Sequence, residues 1–208
     1  MGTNLIRAIG LTVSAVSLVV GTGVGKVEGS GGNEYPIPAN FVSSFAVTHS
    51  GYPATDIFAK CGANVVAPVS GLVNSLRRFD LWNKETDNPW LRGGKFVSIV
   101  GIDGVRYYLA HLETIVDSLN VGSAVHVGQR IGTVGKTGRA GACHVHFGIS
   151  PQCTNPEWWV RRGVIWPAKF LKSWRSGVDK SPAIEIQRWQ HNNLDVCLDK
   201  RQLPWSSN

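Results

Sequence analysis

The sequence predicts an all-β core built on an antiparallel β-sheet, followed by a short helical extension at its carboxyl end. Residues 95–112 contain two runs rich in β-branched and aromatic residues, separated by Asp103-Gly104. An Asp-Gly pair between such runs is typical of a hairpin closed by a type I′ turn. Residues 62–76 supply two further strands, and 24 glycines and 10 prolines suit a protein rich in turns.

The composition changes after Pro151, and short helices are predicted in residues 157–163 and 166–175. Pro167 fits the first position of the second helix. That helix carries three apolar residues whose spacing places them on one face. They are Phe170, Leu171 and Trp174. We expect the tryptophans of this region to pack against the rest of the protein, with ligand binding as the alternative.

Length and composition predict one domain of ordinary size with appendages. A chain of 208 residues with a hydrophobic content of 43% is long and apolar enough for a single packed core. Gly, Pro and Asn mark a linker at residues 30–40. The core domain is expected at residues 41–151, and residues 152–208 are expected to form an extension packed on it.

The first 29 residues are predicted to direct the protein out of the cell. One positive side chain precedes an apolar stretch of 13 residues, Ala8 to Val20, and small residues follow it. This pattern is typical of a secretory signal peptide. The stretch is too short for a comfortable transmembrane helix, which needs about 20 apolar residues. An uncleaved amino-terminal anchor is the alternative.

The tripeptide His144-Val145-His146 is the most informative motif of the chain. Its neighbours Phe147 and Ile149 favour a strand, on which side chains two apart share a face. The two imidazoles then stand side by side, about 6–7 Å apart at the backbone. Such a pair suits one histidine that binds a metal and one that handles a proton beside it. Two histidines on a wet strand face are the alternative.

Further metal ligands are available upstream, at His49 and Asp56. Gly51 and Pro53 make the intervening segment a loop, which can bring both side chains to one point. A catalytic zinc typically takes three protein ligands from His and carboxylate groups and keeps a water in the fourth position. His49, Asp56 and one histidine of the pair satisfy that count. Taken singly, Asp56 could cap a turn and His49 could be a solvated loop residue.

A fourth histidine, His111, lies toward the end of the second hairpin strand. On a regular strand it shares a face with Leu109 and Tyr107. Considered alone, a histidine at such a position is expected either to pack against neighbouring side chains or to lie at the surface. The long connection at residues 79–94, with Trp82 among its aromatic residues, either lines a groove or is a surface loop.

Four ordered motifs between residues 40 and 151 resemble the lysostaphin-type zinc endopeptidases, which cleave peptidoglycan peptides. They are His49 with Asp56, then Tyr107-Tyr-Leu-Ala-His-Leu112, then Val127-Gly-Gln-Arg-Ile-Gly-Thr-Val-Gly-Lys-Thr-Gly138, then His144-Val-His-Phe147. The resemblance implies an antiparallel groove of the lysostaphin-type, duplicated-hybrid-motif-like fold. The common family spacing places three residues between the first His and the Asp, whereas this chain has six, and a loop can absorb the difference.

The resemblance also implies the role of each site residue. It assigns one Zn²⁺ per chain to His49, Asp56 and His146, and catalytic roles to His111 and His144. His144 would take a proton from the zinc-activated water and pass it to the leaving amine, while His111 would stabilise the oxyanion. These two roles could be exchanged or shared. The motifs do not distinguish a bond of the stem peptide from one of a glycine bridge.

The implied protein is a secreted, cell-wall-associated zinc metalloendopeptidase that acts as a monomer on peptidoglycan peptides. The net charge of +7 fits the anionic bacterial envelope as a partner. Nucleic acid is not expected, because the chain has no basic stripe or recognition helix. The alternative is a zinc-containing, non-catalytic protein that binds the wall or activates another hydrolase. All five residues are present, whereas non-catalytic relatives typically lose some of them, and this favours the enzyme.

Four cysteines in an exported chain predict two disulfides, with three possible connectivities. The strand between Cys143 and Cys153 holds them too far apart to pair. If the Asp56 and His146 strands run antiparallel, Cys61 approaches Cys143. We therefore expect Cys61–Cys143 and Cys153–Cys197.

Other chemistries are excluded by missing motifs. The chain has no His-Glu-x-x-His and no Gly-x-Ser-x-Gly sequence. Gly135-Lys136-Thr137 lacks the first glycine of a phosphate-binding loop, because Arg130 stands there. His126 and His191 belong to no motif and are expected at the surface.

Overall fold

The computed structural model describes residues 32–153 and 157–197, and within them an antiparallel β core is followed by helices. The predicted signal peptide lies outside these residues. The strands are β1 Ser43–Phe45, β2 Thr55–Ala59, β3 Asn64–Val66, β4 Gly71–Arg77, β5 Phe96–Gly101, β6 Val105–Ala110, β7 Leu112–Ile115, β8 Ala124–Val125, β9 Arg130–Val134 and β10 His144–Pro151. The helices are α1 Trp158–Arg162, α2 Ala168–Arg175, α3 Ala183–Asn192 and α4 Leu194–Cys197. This architecture confirms the predicted fold class.

Two antiparallel sheets form the core. The larger has seven strands in the order β1-β2-β10-β6-β5-β4-β8, and the smaller has the order β3-β9-β7. Strand β10 lies in the larger sheet between β2 and β6. Its alternate residues Val145, Phe147 and Ile149 enter the hydrophobic core. The opposite face of the same strand therefore carries His144 and His146.

The predicted hairpin is present as β5 and β6, but its turn is of a different type. A type I′ turn needs positive φ at both central residues. Neither Ile102 nor Asp103 has a positive φ, whereas Gly104 has φ 74°. The amide of Gly104 donates to the carbonyl of Gly101 at 2.9 Å. The connection is therefore a three-residue loop in which glycine adopts the left-handed conformation.

Residues 32–40, predicted as part of a linker, pack against the core. Tyr35 and Ile37 are buried in it, and Asn33 forms a β-bridge with Val69. Backbone hydrogen bonds tie this segment to the neighbouring loop, including Glu34 N–H to Pro68 O at 2.9 Å. The described part of the predicted linker therefore packs as part of the domain.

Helices α1 and α2 occupy the two segments in which the sequence predicts helices, and α3 follows them. Phe170, Leu171 and Trp174 are buried on one face of α2, as their spacing indicates. Val160 of α1 and Ile186 of α3 join the same core. The helical residues after Pro151 therefore pack on the sheet. No helix in the described ranges is both long and apolar enough to cross a membrane.

Both expected disulfides are present. Cys61 pairs with Cys143, with their Cα atoms 5.4 Å apart, and Cys153 pairs with Cys197. The first follows from the antiparallel register of β2 and β10, which sets Phe58 opposite His144. It fastens the two strands next to the histidine pair.

Removing the Cys61–Cys143 bridge is expected to lower the free energy of unfolding. The bridge joins residues 82 positions apart, and loss of a native disulfide from a small secreted domain typically costs about 2–5 kcal/mol. Chemical denaturation of the Cys61→Ser, Cys143→Ser double variant measures the loss. Thiol titration of the denatured, unreduced wild type should find no free thiol, and four reactive thiols would contradict the pairing.

Candidate metal centre and cleft

The register of β2 and β10 brings the first two candidate ligands together. Asp56 and His146 are directly opposed Cα partners. Ile57 and Val145, the next residues along the strands, point into the hydrophobic core. Strand alternation therefore turns the carboxylate and the imidazole to the same outer face.

His49 reaches this pair from the loop between β1 and β2. Its ring centroid lies 4.9 Å from that of His146, and Gly51, at φ 93°, helps the loop fold back. One donor atom each of His49, Asp56 and His146 lies within 4.8 Å of the others. The six residues between His49 and Asp56 are thus accommodated, and the three side chains can hold one metal ion.

The polar atoms of this group fit a cation. His146 Nδ1 lies 3.0 Å from Asp56 Oδ1, while its Nε2 faces the carbonyl of Arg162 at 3.3 Å. A ligating histidine typically donates its other ring N–H to such a carbonyl. His49 Nδ1 is buried and has no hydrogen-bond partner among the described residues. Nitrogen and carboxylate donors at this spacing are those that zinc prefers.

The charge states of the group also suit metal binding. Burial alone would raise the pKa of Asp56, but the contact with His146, 3.0 Å away, and the other nearby histidines outweigh burial and lower that pKa. Burial lowers the pKa of His146 although Asp56 opposes the shift. At neutral pH the site therefore offers a carboxylate and a neutral imidazole, the forms that coordinate metals.

His144 stands beside the group with a fixed ring. Its Nδ1–H donates to the carbonyl of Ala142 at 2.8 Å, because a carbonyl oxygen can only accept. Its Nε2 lies 3.6 Å from Asp56 Oδ1. The Nε2 lone pair of the neutral ring consequently faces the site, as a proton acceptor requires.

His111 lies on the face opposite to the one predicted. Leu109 and Tyr107 enter the core, yet the His111 ring lies 4.7 Å from that of His144. His111 has φ 64°, in the left-handed region, between the end of β6 and the start of β7. This conformation breaks the strand alternation and turns the imidazole toward His146, 6.0 Å away between ring centroids.

The tautomer of His111 determines whether its Nε2 can donate or accept a hydrogen bond. Nδ1–H donates to the carbonyl of Thr137 at 2.7 Å, so the neutral ring has no hydrogen on Nε2. Burial, helped by the neighbouring histidines, lowers the pKa of His111 to about 3. A neutral His111 therefore accepts a hydrogen bond at Nε2. Donation to an oxyanion would need the imidazolium, which burial disfavours.

The five histidine and aspartate side chains line a cleft of about 490 Å³. Its walls include five side chains that the sequence did not single out as site residues. They are Tyr52, Arg92, Arg139, Trp158 and Arg162. The Tyr52 ring packs 4.6 Å from that of His49, from within the long His–Asp loop. The two histidines expected at the surface, His126 and His191, are exposed and away from the cleft.

The connection at residues 79–94 forms one wall of the cleft through Arg92 and Gly93. It is fastened to the loop that precedes β10. Asp87 accepts hydrogen bonds from Arg92 at 2.6 Å and from Arg139 at 2.8 Å. Asp80 accepts another from the amide of Gly138 at 2.8 Å. Of the two alternatives predicted for residues 79–94, the structure therefore favours the one in which the connection lines a groove.

Replacing Gly148 with Ala is expected to disturb both the fold and the site. A Cβ at this position would overlap the carbonyl of Arg162, a backbone group that cannot rotate away. Such overpacking typically costs roughly 1–3 kcal/mol, and here it also pushes away the hydrogen-bond partner of His146. Thermal unfolding measures the loss. Gly32→Ala, which meets only ordinary contacts, is the matched control, and equal stability of both variants would contradict the account.

Comparison with known proteins places this arrangement in a family. Residues 49–156 match the model of peptidase family M23. The L-Ala--D-Glu endopeptidase of Bacillus subtilis (strain 168) is 31% identical over 114 residues, covering 51% of this chain and 32% of that protein. This chain thus spans about a third of the length of that relative.

Solved structures share the fold. Lysostaphin from Staphylococcus simulans is 24% identical, with a TM-score of 0.50, covering 71% of this chain and 60% of that one. A putative glycyl-glycine endopeptidase LytM from Ruminococcus gnavus is 21% identical, with a TM-score of 0.54, covering 74% of this chain and 64% of that one. The family match covers more than half of the 208 residues, including the histidine pair and both upstream ligand candidates. The chain belongs to peptidase family M23.

Proposed function

We propose that this chain is a secreted zinc metalloendopeptidase that hydrolyses peptide bonds of bacterial peptidoglycan. The observation that carries the proposal is the convergence of three donor side chains within 4.8 Å, at the floor of a cleft with two further histidines. The name of the related L-Ala--D-Glu endopeptidase supports a wall peptide as the substrate. The net charge of +7 suits attraction to an anionic envelope.

His49, Asp56 and His146 are proposed to hold the single zinc ion. When bound there, zinc supplies a Lewis acid that lowers the pKa of water toward about 7 and polarises the peptide carbonyl. The N–H of His146 that faces Arg162 O fixes the ring so that Nδ1 stays with Asp56. The carboxylate offsets part of the cation's charge.

His144 is proposed as the group that moves the proton. Its Nε2 takes the proton from the attacking water and delivers it to the nitrogen of the leaving amine. The hydrogen bond from Nδ1–H to Ala142 holds the ring in the tautomer that can accept at Nε2. Asp56, 3.6 Å from that nitrogen, stabilises the imidazolium between the two transfers.

His111 is proposed to share the proton handling with His144. Because its neutral ring accepts at Nε2, it can receive a hydrogen bond from the attacking water and orient that water toward the carbonyl carbon. This role replaces oxyanion stabilisation, which needs a donor at Nε2. The left-handed backbone of His111 is what places the ring there.

The catalytic domain is proposed to comprise residues 41–151, against which residues 32–40 pack, with residues 152–208 as an extension. The extension contributes Trp158 and Arg162 to the cleft. The two disulfides favour an oxidising compartment, in agreement with secretion to the cell wall. A monomer is sufficient for this function, because one chain contributes every group that the mechanism uses.

Digestion of purified peptidoglycan by the zinc-loaded protein tests this function. Soluble peptides with new free amino groups should be released, and mass spectrometry of the products identifies the bond that is cleaved. A chelator should stop the release, and the His144→Ala variant serves as the control for a contaminating hydrolase. Tight binding to the wall without release would favour a non-catalytic wall-binding protein or an activator of another hydrolase.

A further inference from the structure

A buried arginine side chain at the wall of the cleft has no part in the proposed hydrolysis, although the backbone carbonyl of the same residue orients His146. Arg162 ends helix α1, and only 9% of the residue is exposed. Its guanidinium lies 5.1 Å from the ring centroid of Trp158 and 6.0 Å from that of Tyr52. All three residues line the cleft that holds the candidate metal ligands. The cation is thus held in a stacked position beside the reaction site.

Within residues 32–153 and 157–197, no acidic side chain pairs with Arg162. Its side chain donates to two neutral oxygens, Tyr52 Oη at 3.3 Å and Pro89 O. A guanidinium has five N–H donors in a fork that matches a carboxylate. Donors therefore remain for an anionic ligand, and a buried charge without a counter-ion favours one.

The rest of the cleft wall is also cationic. Arg92 and Arg139 line it together with Arg162, and the first two share one carboxylate, Asp87. Among the described residues that line the cleft, Asp56 is the single acidic one. The charge of a bound metal dication would more than offset the charge of this carboxylate. The cleft therefore presents an excess of positive charge to a substrate, which attracts an anion.

Resting on the proposed function, we infer that Arg162 binds a free carboxylate of the peptide substrate and selects acidic stem peptides over uncharged glycine bridges. Tyr52 packs against both the guanidinium and the His49 ring, so the carboxylate would lie close to the reacting carbonyl. Arg162 is a binding residue in this account. Its contact with substrate forms before the reaction and lasts through it, so its loss should raise KM more than it lowers kcat.

A second buried arginine shows why position in the cleft matters. Arg106 is 4% exposed and also has no acidic partner in the part of the chain that the structure describes. It donates to Ser150 Oγ at 2.9 Å and to the carbonyl of Val160 at 3.1 Å. It does not line the cleft. Arg106 therefore ties the extension to the sheet, whereas Arg162 faces the space in which a substrate binds.

Matched peptides and the wild-type, zinc-loaded protein test the inference without any substitution. The peptides are a synthetic stem peptide with free carboxylates, the same peptide with each carboxylate converted to a carboxamide, and pentaglycine blocked at both ends. The carboxylate form should have a KM lower by roughly 10- to 100-fold, the usual worth of a charge-assisted hydrogen bond. Equal KM values for the carboxylate and carboxamide forms would overturn the inference.

Substitutions then identify the residue that is responsible for the preference for the carboxylate peptide. Arg162→Gln should abolish the preference, and Arg162→Lys should keep part of it, because the charge remains and the fork is lost. Arg161→Gln is the matched control, since Arg161 lies next in the helix, packs over Trp90 and does not line the cleft. Zinc content checks that each variant retains its site. A preference that persists in Arg162→Gln would overturn the assignment.

The same three peptides distinguish a protein without the carboxylate site from a protein without peptidase activity. Hydrolysis of all three peptides at similar efficiency would retain the peptidase and reject the carboxylate site. If none is hydrolysed, quenching of tryptophan fluorescence still reports binding, because Trp158 stacks on the guanidinium. Quenching by the carboxylate peptide alone would then support the anion site in a protein that is not a peptidase. Equal or absent quenching by both forms would reject the site.

Discussion

The His146→Ala variant is expected to lose its zinc and its hydrolytic activity together. A three-ligand site has no spare donor, and this imidazole is buried against Asp56 on one side and Arg162 O on the other. Asp56→Asn should behave in the same way, because it keeps the size of the side chain and removes the charge that helps neutralise Zn²⁺. Elemental analysis and peptide release from the same preparations measure both effects.

The control for this experiment is His126→Ala, since His126 is exposed and lies outside the cleft. It should keep one zinc per chain and full turnover. Full zinc occupancy in His146→Ala or in Asp56→Asn would require a different ligand set. Loss of zinc from His144→Ala with retention in His49→Ala would show that the long His–Asp loop does not place His49 on the metal.

The His144→Ala variant is expected to keep its zinc and to lose turnover by roughly 10²–10⁴-fold, the usual contribution of a positioned acid–base group. The reason is that His144 Nε2 faces the site while its other nitrogen is held by the backbone. His111→Ala should give a loss in the same range if the two rings share the proton. The measurement is kcat with a fixed stem peptide, alongside zinc content and thermal unfolding.

The His111→Gln variant and the pH dependence of the rate separate the possible roles of His111. A ring that accepts a hydrogen bond from water can be replaced in part by His111→Gln, whose amide oxygen accepts as well. Oxyanion stabilisation by an imidazolium would instead make activity rise as the pH falls toward the depressed pKa of His111. A rate that increases on acidification would contradict the role proposed here.

The grouping of the three candidate metal ligands is the part of the site that the sequence predicts best. Strand alternation places His144 and His146 on one face, and the loop between His49 and Asp56 carries its own turn residues. The resemblance to the lysostaphin-type enzymes supplies the ligand set, and the structure brings the same three side chains together. This grouping was predictable because Asp56 and His146 lie on regular strands and His49 lies in the loop that leads into one of them.

The orientation of His111 was not predictable from periodicity. The strand rule assumes extended backbone, and a non-glycine residue at φ 64° breaks that rule without a mark in the sequence. The hairpin turn also differs from the predicted type I′ turn, for a related reason. Asp103-Gly104 predicts the reversal of the chain, but the left-handed conformation falls on Gly104 alone, in a loop of three residues.

The buried segments outside the motifs were also missed. Gly, Pro and Asn made residues 30–40 resemble a linker, yet Tyr35 and Ile37 pack into the core. Arg162 carried no signal, because an arginine in a short basic helix is usually a solvated charge. Its burial depends on Gly148, which lets the backbone of α1 lie directly on β10. Such long-range packing is not encoded in any local pattern.

Zinc titration of the metal-free protein tests the central claim most directly. Peptide release from purified peptidoglycan is followed while zinc is added to protein stripped by a chelator. We expect no release without metal, a linear rise with added zinc, and a plateau at one equivalent per chain. Undiminished release by the stripped protein, or full zinc occupancy without any release, would contradict a zinc-dependent wall endopeptidase.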